Sequence, residues 1–156
     1  VRMRTWGVAG ALAGVVLGAG AAVAAPEPVP EADLAFHGTA VMNGDTVVVR
    51  LTPRNSGPAA VPDATVRLRW SVPLAGEQQL PARCAREDDR TVVCGTGRLA
   101  ASGVGERLDV PVRLKEEPSE VTLEVGAAWV GGTTDRDHAN DRMQVLVLDT
   151  GDSYAF

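Results

Sequence analysis

The sequence contains no isoleucine, and Lys115 is its only lysine against 14 arginines. A GC-rich genome produces both shortages, because isoleucine and lysine codons are AT-rich, so the arginine excess is no sign of selection for bidentate binding. Two histidines and two cysteines are all the chain offers for imidazole or thiol chemistry. The cysteines form no C-x-x-C motif, and no second pair exists to complete a zinc site. No G-x-S-x-G elbow occurs, and no glycine-rich phosphate loop opens a helix. With no residue set for catalysis, the sequence reads as a non-enzyme. Positive charge is also short: 15 basic residues against 20 acidic ones give −5, which excludes a nucleic-acid binder. No period of 20–50 residues repeats, so the chain is one module and not an array. What remains is 45% apolar and 22% charged, with 17 Gly and 10 Pro. That composition excludes a disordered tail, a collagen-like repeat and a multi-span membrane protein.

The N-terminal stretch has the pattern of an export signal. Arg2 and Arg4 form a basic start, Thr5 to Val23 an uncharged run, and Ala22-Val23-Ala24 a small-x-small cleavage site with Ala22 and Ala24 at the two positions read. Residues 1–24 are therefore expected to be a cleaved signal-peptide helix; the alternative is an uncleaved anchor, for which the run is only mildly apolar. No cysteine follows it to carry a lipid, and no Arg-Arg pair marks the twin-arginine route. Loss of Arg2 and Arg4 leaves 13 basic against 20 acidic residues, or −7. Residues 25–32 read as a stiff Pro-rich linker. The expectation is a secreted protein, free or wall-associated, with no stable membrane anchor once cleaved.

From Asp33 onward the apolar period is two. Val66, Leu68 and Trp70 alternate with Arg67 and Arg69; Leu108, Val110 and Val112 alternate with Asp109 and Pro111; Val121, Leu123 and Val125 do the same, with Ala127 and Trp129 extending that face. Thr46 to Leu51 and Arg142 to Leu148 fit further strands. Such alternation describes sheets packed on one side. Asn43-Gly44-Asp45 suits a tight hairpin, and Pro111 places its strand at an edge or bulge. About seven or eight short strands over residues 33–149 predict an all-β sandwich with Greek-key connections, followed by a flexible tail at 150–156. The predicted core includes Val66, Leu68, Trp70, Val110, Val112, Leu123, Val125 and Trp129. For the two tryptophans the alternative is a sugar-binding groove.

Cys84 and Cys94 flank the polar turn Arg86-Glu87-Asp88-Asp89-Arg90. In an exported chain they are expected to form a disulfide worth roughly 2.5–3 kcal/mol by chain entropy. Asp135, Asp137, Asn140 and Asp141 crowd one late loop. Two readings stand: oxygen ligands for calcium, the one cofactor considered, or Asp and Asn bonding their own backbone in a tight turn. Arg50, Arg67, Arg69 and Arg113 point outward from their strands. They read as a basic stripe for an acidic wall polymer, or as cross-strand partners of Asp109, Glu120 and Glu124. Tyr154 and Phe156 end a tail that frays or serves as a docking peptide.

Three segments carry a family resemblance. Arg54-Asn55-Ser56-Gly57-Pro58 resembles an N-x-G-P turn; Cys84 with residues 92–103 resembles a C…V-x-C-x-x-G-x-L-x-x-G segment; and residues 135–141 resemble a D-x-D-x-x-N-[ND] loop. Together they are similar to the secreted bacterial repeat module called domain of unknown function eleven, related to the CARDB adhesion-type modules. The similarity spans residues 32–149. It implies an immunoglobulin-like sandwich in extracellular or wall-associated proteins, usually without catalysis. It brings no agreed ligand and no catalytic set. The module normally occurs in tandem arrays, and this sequence carries one copy. The expected function is binding of a protein or cell-wall polymer at the bacterial envelope. The alternative is a freely secreted inhibitor or competition factor presenting loops 86–90 and 131–141 to a foreign enzyme or receptor.

Overall fold

A computed structural model describes residues 27–156. The expected signal peptide, with Ala22 and Ala24, and the first residues of the linker lie outside the described residues. Twelve strands run in chain order: β1 (Glu31–Ala32), β2 (Leu34–Asn43), β3 (Thr46–Asn55), β4 (Thr65–Trp70), β5 (Cys84–Arg86), β6 (Thr91–Gly95), β7 (Gly103–Val104), β8 (Leu108–Arg113), β9 (Glu120–Trp129), β10 (Thr134–Asp135), β11 (Arg142–Leu148) and β12 (Ser153–Ala155). Among the described residues there is no helix. One sheet has the order β11-β9-β4-β6-β5. The other has the order β12-β2-β3, with β7 and β8 both paired to the far side of β3. β1 and β10 form a small parallel pair.

The two large sheets enclose one core. Alternation sends Val47, Val49 and Leu51 of β3 and Val110 and Val112 of β8 inward from one side, and Val66, Leu68, Trp70, Leu123 and Val125 inward from the other. Each fully buried Val or Leu contributes roughly 1.5–3 kcal/mol, which the polar outer faces do not. Gly44, at φ 56°, makes the β2–β3 turn with Asp45; a positive φ at the first central residue suits the twist of the flanking strands. β8 is an edge strand, and Pro111 lies on its exposed face opposite Val48.

Three expectations change. Trp129 is not in the core; it is 52% exposed. A bulge is the cause: Val66 pairs with Ala127 but Thr65 pairs with Trp129, so Ala128 is an extra residue and the alternation flips beyond it. The segment read as a flexible tail forms β12 against Thr39–Val41 of β2. Phe156 exchanges backbone bonds with Gly38 at 2.9 and 3.0 Å, and Tyr154 and Phe156 pack on the core. The linker also ends early. Ala32 is buried with Leu34, Val61, Ala64 and Leu99 in a second, smaller core at one pole, so the folded body begins at Glu31.

Candidate functional site

Parts of the three segments behind the family resemblance meet at that pole around the entering chain: Asn55 and Gly57 of the first, Leu99 and Ala100 of the second, and Asp135 and Asn140 of the third, whereas Cys84, Val92 and Cys94 belong to the main core. Asn55 is fully buried at the end of β3. Its Oδ1 accepts from the N–H of Asp33 at 3.2 Å and of Gly57 at 3.0 Å, and its Nδ2 donates to the carbonyls of Ala59 at 2.7 Å and Ala100 at 3.1 Å. One amide thus uses its full bonding capacity to join the lead, the 55–59 turn and the loop after β6. A Cβ on Gly57 would lie 2.5 Å from the Ala32 backbone, so only glycine lets the turn approach the lead. From the third segment, Asp135 Oδ2 accepts from Leu34 N–H at 2.7 Å, and Asn140 Nδ2 donates to Asp33 Oδ1 at 2.7 Å.

Elsewhere in the acidic loop two carboxylates bond the loop's own backbone. Asp135 Oδ1 accepts from the N–H of Asp137, and Asp137 Oδ1 from that of Ala139, both at 3.1 Å. Asp141 is 2% exposed, and its Oδ2 lies 2.9 Å from His138 Nδ1. Oδ1 of Asn140 and Oδ1 of Asp141 are buried without a hydrogen-bond donor. Among the described residues no three His, Cys, Asp or Glu side chains form a group able to hold a metal. Of the two histidines, His37 is exposed on β2, pairing with Thr52, and His138 belongs to this loop.

Cys84 and Cys94 are joined and face each other directly across β5 and β6. Their hairpin is further braced by Arg86, whose guanidinium donates to the carbonyls of Ala75 at 2.7 Å, Gly76 at 3.0 Å and Asp88 at 2.8 Å. Asp88 accepts from Arg90 N–H at 2.8 Å, and this bond first of all holds its carboxyl below the ordinary value.

The four outward arginines do not form one stripe, because they divide between opposite faces. Arg50 and Arg113 lie on β3 and β8, with Arg113 paired to Asp45 at 2.6 Å. That guanidinium, helped by the Thr46 hydroxyl, holds the Asp45 carboxyl below its ordinary value. Arg67 and Arg69 lie on β4, on the outer face of the other sheet. There they meet Arg142 of β11 across Gly126 of β9, which has no side chain to fill the space between them. The result is an open groove of about 560 Å³ lined also by Glu124, Ala127 and Gln144. Arg67 is held by Glu87 through bonds of 2.8 and 2.9 Å, which raises its pKa further. The contacts Arg69–Glu124 (4.0 Å) and Arg142–Asp141 (3.9 Å) are long, which leaves guanidinium donors free. Sequence reasoning found Arg67 and Arg69 but missed Arg142 and Gly126, because strand order alone makes them neighbours.

No family model matches the chain, and no curated protein matches it.

Proposed function

We propose that the chain is an exported, non-enzymatic, immunoglobulin-like module of the domain-of-unknown-function-eleven type, which binds an anionic polymer or acidic protein at the bacterial envelope. The observation that carries this reading is the arginine-lined groove. Three guanidiniums and a Gly-floored gap share one sheet face of a chain whose residues from 27 on carry −7. Arg69 and Arg142, whose carboxylate contacts are long, keep guanidinium donors for a negatively charged partner at that face. The Cys84–Cys94 disulfide is compatible with an oxidising, extracellular setting. In this reading the Asp135–Asp141 loop is structural and binding is independent of calcium.

The test is sedimentation of the oxidised protein with purified envelopes of the producing strain, with and without calcium. Cosedimentation that weakens as salt screens the groove is expected. Protein left in the supernatant at low salt would contradict the proposal. A second reading, a secreted inhibitor, is favoured by the rigidity of the 86–90 tip, which the disulfide and Arg86 both brace. Activity against a panel of proteases and glycosidases would move the assignment there.

A further inference from the structure

Among the described residues every sheet edge but one is short or blunted. β8 carries Pro111, and the Gln78 side chain covers its end, accepting from Arg113 N–H at 2.9 Å and donating to Arg113 C=O at 2.8 Å. β5 and β12 are three residues long and β7 is two. β11 has seven residues, no proline, no bulge and a single charge, Arg142. Short strands, prolines and charges are how proteins blunt an edge, and of these β11 has only Arg142 at its start.

Its free side can be read from the ladder. Asp149 N–H bonds Ser119 C=O and Ala127 N–H bonds Asp141 C=O, so the odd-numbered residues of β11 face β9. The N–H and C=O groups of Arg142, Gln144 and Leu146 therefore point away from the sheet. Among the described residues no strand pairs with that side. Leu146 is 49% exposed there.

We infer that β11 pairs antiparallel with β11 of a second copy about a two-fold axis at Val145, joining two five-stranded sheets into one. In this register Gln144 and Leu146 each exchange backbone bonds with Leu146 and Gln144 of the second copy. Arg142 falls opposite Leu148 of that copy, whose own neighbour on β9 is Glu120. Glu120 is exposed and makes no ion pair among the described residues. Two strand spacings, about 9.6 Å, separate the Arg142 and Glu120 backbones, a gap that a long arginine spans. The charges thus complement each other twice across the axis. A two-residue shift of register puts Arg142 beside Thr122 instead, or beyond the end of the strand. The pairing does not depend on the envelope-binding reading.

The test is the molar mass of the oxidised chain by light scattering and sedimentation equilibrium, from micromolar to millimolar concentration. A reversible doubling is expected, with amide exchange slowed at Gln144 and Leu146 and unchanged at Met143 and Val145. Leu146→Pro removes an N–H that no β9 carbonyl uses, and should weaken association at least about tenfold. Arg142→Glu should weaken it likewise, and Arg142→Glu with Glu120→Arg should restore it. This charge exchange carries the test if the proline variant does not fold. A monomer throughout, or a dimer indifferent to these substitutions, overturns the inference.

Discussion

Asn55 shows how a single side chain can look like a recognition motif and act as a fastener. Its substitution by alanine would strip partners from one buried and one part-buried N–H group and from two carbonyls. A loss of about 2–4 kcal/mol is expected in denaturant unfolding, and Asn55→Asp should cost at least as much because it sets an acceptor against two carbonyls. The N-x-G-P pattern was legible in the sequence. The role was not, because Asp33 and Ala100 lie 22 and 45 residues away. The Arg113–Asp45 pair was missed for the same reason, being 68 residues apart. Its folded carboxyl titrates below the ordinary 3.8, so the contribution is complete above that value and is lost as pH falls through the folded pKa. In an NMR titration the Asp45 midpoint should lie below 3.8 and return toward it in Arg113→Met; no shift in the variant would refute the pairing.

Strands were legible wherever the period of two was unbroken, as in β4, β8 and the first part of β9. One extra residue at Ala128 defeats that reading, because periodicity has no term for a bulge and everything beyond changes face. Trp70→Ala should therefore cost about 3–5 kcal/mol, as for a core aromatic, whereas Trp129→Ala should stay within about 1 kcal/mol. Equal losses would mean that Trp129 is buried after all. β12 escaped notice because its three residues gain structure only from β2, far away in sequence. The disulfide was legible because a polar turn lay between two cysteines of a chain with an export pattern. Replacing both cysteines by serine should lower stability by roughly 2.5–3 kcal/mol, measured against the oxidised protein, with the sheet order kept.

At the scale of the whole molecule, the sandwich separates two tasks. One pole uses Asn55, Gly57, Asp135 and Asn140 to fix the entering chain, while the outer face of the β4–β9–β11 sheet gathers arginines around Gly126. The sequence showed that the acidic loop and the arginines were unusual. It could not show that the carboxylates of Asp135 and Asp137 turn toward backbone N–H groups, or that two of the four arginines belong to the opposite face. The most direct test compares envelope sedimentation of the unaltered protein, Arg67→Gln/Arg69→Gln and Asp137→Asn at several salt concentrations. The groove variant is expected to lose most of its binding and the loop variant to keep it, with no effect of added calcium. Retained binding in the groove variant, or binding that needs calcium and Asp137, would contradict the account.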